Sequence, residues 1–340
     1  MGNRKQEGTF VLHRSIRWLL VILIGFHAEA LAAETIQVTD FSGRTLRMKR
    51  PAERIVCLIE SALSGLYMLD AQSRVIGVST NVYEKPTVDA YARMDERIAR
   101  KTLPAPGNWD FVSIEHVVAL RPDLVVIWAH QNEVADALSS YGLLVYGVFI
   151  QSIEDVYKEI ADLAALTATE KRGRELIEMT RQSMDSLKKQ LHVSDAVRKT
   201  AYFIWPQGNL ETSGFPSTVQ QLMDHAGVRN AASSIQQEHA VIQMEQLIKW
   251  NPDLFVLWPR PKSVVPDFRG DPAWAHLKAV RNGAVHVLPD AFPCDLWTLK
   301  IVHAIRLVAW WAYPDRFTDF DPEQERIRTM KRLYGSKWIE

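Results

Sequence analysis

Apolar positions along this chain switch between two periods, and the switch occurs twice in one design. From Glu115 the apolar residues Val117, Val118 and Leu120 fall at helical spacing; the pattern breaks at Pro122 and resumes as Leu124-Val-Val-Ile-Trp128. That last run is unbroken, as in a strand buried on both faces. The stretch from Glu245 repeats it: Leu247 and Ile248, then Pro252-Asp253, then Leu254-Phe-Val-Leu-Trp258. Glu, Pro-Asp-Leu and Trp coincide 130 positions apart (115 to 245) without a gap. Two helix–turn–strand units of one design predict two similar α/β lobes related by duplication. A cleft between such lobes is where a ligand is expected.

The surrounding pattern fills in each lobe. Gln37 to Met48 alternates about Ser42-Gly-Arg44 and predicts a hairpin. Arg54–Ile59 and Arg74–Val78 read as strands, with a helix from Ser61 to Leu69 between them and Ser61 as its N-cap. The polar stretch from Ser79 to Asp110 predicts a long irregular loop of the kind that carries function. Ala135–Tyr141 reads as helix and Leu144–Phe149 as strand. Strands separated by helical patterns imply mostly parallel sheets. The chain is then helical from Ser152 to about Val193, interrupted near Thr167–Thr169. Its second part, Glu170 to Leu191, is charged and amphipathic, with only Gly173 weakening it, and predicts a stiff connector between the lobes. The second lobe begins with the strand Lys199–Trp205. It continues through a helix at Thr218–Ala226, the second repeat, a strand at Ala284–Leu288 and a last helix at Leu296–Tyr313.

The first residues stand outside this scheme. Arg4, Lys5, Arg14 and Arg17 precede the apolar run Trp18–Phe26, and Ala30-Leu-Ala32 supplies a small-x-small cleavage pattern. A signal peptide over residues 1–33 is expected, since nine apolar residues are too few to span a bilayer. No Cys lies near the cleavage point to take a lipid, so secretion as a soluble protein is expected. The organisation is then a lobe over 34–166, a connecting helix over 167–197 and a second lobe over 198–340. Forty acidic and forty basic side chains cancel, which argues against a nucleic-acid surface. Cys57 and Cys294 either pair, as an oxidising compartment permits, or remain lone thiols.

Several segments in order resemble one family. Ile36–Leu46, Pro51-Ala-Glu-Arg-Ile-Val56, Val75–Ser79, Gly107-Asn-Trp109, the two Glu…Pro-Asp-Leu units and Trp311–Phe317 resemble the substrate-binding proteins of metal-chelate ABC importers. Within these the likeness is to the ferric-siderophore, haem and cobalamin group, over about residues 35–317. The resemblance implies two α/β lobes joined by one long rigid helix, the helical-backbone class of periplasmic binding protein, with little hinge bending on capture. It implies a monomer with no cofactor or catalysis of its own, a metal chelate as cargo, and an ABC permease with its ATPase as partners. It also implies that Glu115 and Glu245 dock onto the permease. The plainer account of each Glu is a favourable place in the first turn of a helix, worth about 0.3–1 kcal/mol.

Loops at the carboxyl ends of strands are expected to line the cleft. They offer Tyr83, His130, Trp205, Arg260, Phe292 and Cys294. The resemblance implies aromatic ligand contacts at Trp109, Trp128 and Trp205, while packing is the plainer role for each Trp. His239 and His130 are candidates to touch a metal or a chelate, and Arg260 to hold carboxylate or catecholate oxygens. A molybdate-type oxyanion, held by backbone amides and Arg, is the alternative cargo, and a nickel or cobalt complex another. A metal-dependent hydrolase using His130, His239 and Asp290 is the competing class. Against it, the chain has no His-Glu-x-x-His helix, Gly-x-Ser-x-Gly elbow or Gly-rich phosphate loop.

Overall fold

The computed structural model describes residues 1–2 and 35–338; the expected leader lies outside the described residues. The first lobe opens with an antiparallel hairpin, β1 (Ile36–Thr39) and β2 (Thr45–Met48). Its parallel sheet is built from β3 (Ile55–Cys57), β4 (Val75–Val78), β5 (Leu124–Trp128) and β6 (Val145–Val148), in spatial order β4-β3-β5-β6. Helices α1 (Glu60–Met68), α2 (Thr87–Ala92), α3 (Glu96–Ala99), α4 (Ile114–Ala119) and α5 (Asn132–Ser140) lie between these strands. The stretch 79–110 is therefore not one irregular loop, because α2, α3 and a 3-10 turn at Thr80–Tyr83 organise it. These elements are too short to show a clear period in the sequence.

Two helices follow, α6 (Ile153–Leu166) and α7 (Glu170–Leu191), separated at Thr167–Thr169. At 22 residues, α7 is about 33 Å long. It packs against α6 on one side and against a helix of the second lobe on the other. Gly173 is needed for that approach: a Cβ there would lie 2.7 Å from the Cβ of Ala164.

The second lobe contains β7 (Thr200–Ile204), β8 (Glu211–Thr212), α8 (Thr218–His225), β9 (Arg229–Asn230), β10 (Ala240–Val241) and α9 (Met244–Trp250). It continues with β11 (Leu254–Leu257), α10 (Pro272–Ala275), α11 (Lys278–Arg281), β12 (Val285–Val287), α12 (Ile301–Ala312) and α13 (Pro322–Tyr334). Its sheet is parallel in order β12-β11-β7-β9, with β8 and β10 paired separately. Read from the other edge, β9-β7-β11-β12 matches β4-β3-β5-β6 strand for strand. The last helix of the core begins at Ile301 rather than Leu296. The closing helix α13 returns to the first lobe, packing on α1. Lys337, just after it, donates to the Tyr67 carbonyl at 2.9 Å.

Strand alternation explains how both sheets are filled. On β5, Leu124 and Val126 enter a core shared by both lobes, while Val125 and Ile127 enter a separate outer cluster. On β11, Leu254 and Val256 enter the shared core, and Phe255 and Leu257 a second outer cluster. Side chains two apart share a face. Trp128 and Trp258, two residues beyond Val126 and Val256, therefore pack on the shared core as well.

Candidate ligand site

A cavity of about 500 Å³ opens where the two lobes meet, within the range usual for small-molecule sites. The first lobe contributes Ile59, Glu60, Ser61, Ser64, Thr87, Tyr91, Trp109, Trp128 and Ile150; the second contributes Trp258, Ala291, Phe292, Asp295, Trp297 and Lys300. The Trp that closes each repeat is thus a wall on each side.

Local structure fixes these walls. Trp109 is half exposed at the rim, on a loop held by the Asn108 side chain, which accepts from the N–H groups of Asp110 (2.8 Å) and Phe111 (3.0 Å). The preceding Gly107 bridges to Ser79 and Val112, and a Cβ on it would lie 2.1 Å from the Phe111 carbonyl oxygen. Phe292 is clamped from behind by Tyr91 edge-on at 5.3 Å and by Trp338 stacked at 5.9 Å. Trp297 stacks on Trp205 at 6.0 Å and meets Trp258 edge-on at 5.7 Å.

The polar groups are few. Lys300 is 1% exposed; its Nζ donates to Ser64 Oγ at 3.0 Å, pairs with Asp295 at 3.3 Å and lies 3.8 Å above the Phe292 ring. Glu60 accepts from Ser79 Oγ at 2.7 Å, and burial raises its pKa. Ser61 is not the N-cap of α1, a place held by Ile59; its hydroxyl donates instead to Glu159 Oε1 at 3.0 Å. Glu159 is buried, and desolvation pushes it up to about 8.

Of the residues singled out in the sequence, Trp109, Trp128 and Phe292 line this cavity together. Tyr83 lies elsewhere, its hydroxyl donating to the Leu103 carbonyl at 2.7 Å. Trp205 sits behind the wall, 4% exposed, its indole N–H donating to Ser213 Oγ at 2.8 Å. His239 is exposed and tilted over Trp205 at 5.1 Å, and His130 is exposed and edge-on to Phe149 at 4.6 Å. Arg260 folds back to donate to the carbonyls of Trp205 (2.9 Å) and Ile204 (3.2 Å). Glu115 and Glu245 are exposed in the first turns of α4 and α9. Cys57 and Cys294 are both buried and free, so the pairing alternative is not realised. Among the described residues, no group of three or more His, Cys, Asp and Glu is arranged to hold a metal ion. None of their helices is long and apolar enough to cross a membrane.

Sequence reasoning missed Trp258, Trp297, Glu60, Asp295 and Lys300. The repeat register held the signal for Trp258, because it stands where Trp128 does. For the others no spacing distinguishes a cleft residue from a helix start.

A model of the periplasmic binding protein family matches residues 55–292, a span that holds both parallel sheets. The chain belongs to the periplasmic binding protein family. Its members are solute-binding proteins rather than enzymes. It is similar to the molybdate-binding protein MolA of Haemophilus influenzae, 25% identical over 327 residues, covering 88% of this chain and 91% of MolA. It is also similar to a vitamin B12-binding protein of Vibrio parahaemolyticus, 20% identical over 248 residues, covering 69% and 84%. Among solved structures, MolA bound to molybdate superposes with a TM-score of 0.75 at 22% identity, over 88% of this periplasmic binding protein and 97% of MolA. Helicobacter pylori CeuE in a Ni–His complex gives 0.71 at 19% identity, over 88% and 96%. These likenesses establish the two-lobed fold.

Proposed function

We propose that this protein is the solute-binding component of an ABC importer, taking an iron–siderophore or related metal chelate, of the haem or cobalamin type, into the cavity between its lobes. The chelate then passes to the membrane permease, which Glu115 and Glu245 engage from the two lobes and which its ATPase drives. The observation that carries this reading is the cavity itself: about 500 Å³ walled by Trp109, Trp128, Trp258, Trp297, Phe292 and Tyr91. Flat aromatic walls suit an organic chelate, whose ligand edges present π-surface and methylenes, better than a small hydrated ion. The long helix α7 and the return of α13 to the first lobe favour capture with little change in the angle between lobes.

A second reading, an oxyanion cargo, is favoured by the likeness to MolA across most of the chain. Its chemistry needs free donors at the ligand. Here Arg260 is engaged by carbonyl oxygens and two carboxylates, Glu60 and Asp295, face the space.

Intrinsic Trp fluorescence distinguishes the two readings, since four Trp side chains line the cavity. The purified protein is titrated with ferric siderophores, haem, cobalamin, molybdate, and nickel with and without a small chelator. Sub-micromolar quenching by an organic chelate is the expected result; response to molybdate alone replaces the proposal with the second reading.

A further inference from the structure

We infer that the cavity selects by charge, admitting an uncharged or cationic chelate and rejecting polyanionic ones. This deepens the chelate reading and rests on it. Lys300 is the one cation among the described residues lining the space, and its ammonium is already engaged on three sides. Ser64 Oγ accepts one N–H at 3.0 Å, the Asp295 carboxylate lies at 3.3 Å, and the Phe292 ring face at 3.8 Å takes the third direction. An ammonium has three protons to give. With the side chain 1% exposed, Lys300 has nothing left to offer a ligand.

The next available cation is withdrawn as well. Arg260 follows Trp258 by two residues, but its guanidinium is turned onto the carbonyls of Ile204 and Trp205. The acids are not matched in the same way. Asp295 is balanced by Lys300, whereas the donors that hold Glu60 are neutral: the Ser79 hydroxyl at 2.7 Å, its own backbone N–H and the Asn81 side chain. Glu238 is hydrogen-bonded to the Trp297 side chain and partly buried. Burial raises both Glu60 and Glu238, which marks each as a carboxylate held in a poorly solvated place without a full counter-charge. A cation or a hydrogen-bond donor on the ligand satisfies such a group, while a tris-catecholate brings further negative charge into the same low-dielectric space. The aromatic faces act in the same direction, since a π-face attracts cations and repels anions.

Calorimetric titration of one ferric linear trihydroxamate in three forms tests this. The forms carry a terminal ammonium (cationic), its N-acetyl derivative (uncharged) and its N-succinyl derivative (anionic). A ferric tris-catecholate, haem and an uncharged corrinoid complete the panel. The tightest binder is expected to carry no net negative charge, and each anionic form to bind at least tenfold more weakly than its uncharged counterpart. Glu60→Gln should narrow the cation-to-anion ratio. Asp295→Asn, which releases the charge of Lys300, should raise the affinity of the anionic forms; the Asp295 side chain is 18% exposed, so the fold should tolerate the change. A tris-catecholate or haem that binds tightest, or a ratio unmoved in both variants, overturns the charge selection and leaves the importer reading standing. Silence across the whole panel overturns both.

Discussion

In the first lobe, the Asp123 carboxylate accepts hydrogen bonds from the N–H groups of Glu53 and Arg54, each at 2.9 Å. In the second lobe, 130 positions on, Asp253 accepts from the N–H of Thr200 at 2.7 Å and pairs with Lys278. Both Asp residues also return a backbone bond to the same neighbouring strand, Asp123 N–H to the Arg54 carbonyl and Asp253 N–H to the Thr200 carbonyl. Each repeat thus uses its Pro-Asp to tie the start of one strand to the start of the next. The far ends of those strands diverge. Two residues past Trp128 stands His130, exposed and packed on Phe149; two residues past Trp258 stands Arg260, which staples the Trp205 carbonyl. Trp128 has small aromatic company, whereas Trp258 belongs to a cluster with Phe203, Trp205 and Trp297. The two repeats share the frame where their strands begin and differ in chemistry where they end, which is where the ligand is proposed to sit.

The largest expected effect breaks the symmetry that both halves keep on the outside. Glu115→Arg together with Glu245→Arg should abolish uptake in cells while leaving chelate affinity unchanged, because neither residue lines the cavity. Each single reversal should retain partial uptake if the two lobes dock independently. Normal uptake by the double variant would reduce both residues to helix-start acids favoured by the dipole.

The aromatic clusters come next. Trp205→Ala removes a side chain that is 4% exposed and hydrogen-bonded to Ser213. A loss of about 3–5 kcal/mol of stability is expected, as for other large-to-small core changes. Trp128→Ala, in the first lobe and only partly buried, should cost less stability and more affinity. Denaturant midpoints and titrations on the same samples separate the two. An affinity loss greater at Trp205 than at Trp128 would move the site toward the second lobe.

How much of this was legible in the sequence follows from the same comparison. The alternation in β5 and β11 was readable, since Leu, Val and Trp at positions 124, 126 and 128 recur at 254, 256 and 258, and with it the two sheets and the helix between them. Trp258 was within reach of that register and was overlooked for Trp205. The helix α13 was not readable, because its buried face is made from Glu325, Thr329, Met330, Leu333 and Tyr334, too few of them apolar to stand out. Its return to α1 and the stacking of Trp338 on Phe292 depend on tertiary placement alone. Glu60 and Lys300 carry no pattern of their own; only the fold brings α1 and the start of α12 to one cavity.

Ionisation gives a third way to separate the lobes. Glu159, on α6 behind the first-lobe wall, accepts from Ser61 at one oxygen, and its other oxygen has no partner among the described residues. Desolvation is the main cause of its rise to about 8, with Asp295 and Asp162 adding to it. The unfolded chain releases this proton near the ordinary Glu value of about 4.3, whereas the folded chain holds it to about 8. Between those values the folded state binds more protons, so stability falls as pH rises and levels off above about 8. The fall is on the order of a few kcal/mol. Glu159→Gln should remove it, as denaturation at about pH 5 and about pH 8 would reveal; an equal fall in the variant would assign the slope to another group.

The smallest effect tests the shared frame. Asp123→Ala leaves the N–H groups of Glu53 and Arg54 without their acceptor, whereas Asp253→Ala leaves one N–H, on Thr200, and an exposed Lys278. Hydrogen bonds to a charged acceptor contribute about 1.5–3 kcal/mol when buried, and less where water can replace them. The N–H groups at Glu53 and Arg54 are solvent-accessible while that of Thr200 is partly buried, so the two-against-one count and the difference in exposure oppose each other. Losses of about 1–2 kcal/mol are therefore expected for both, equal within about 0.5 kcal/mol, and additive in the double variant because the sites share no partner. Urea midpoints of the two single variants and the double decide it. A second-lobe loss more than twice that of the first would mean that burial outweighs bond number, and that the Pro-Asp tie carries unequal weight in the two lobes.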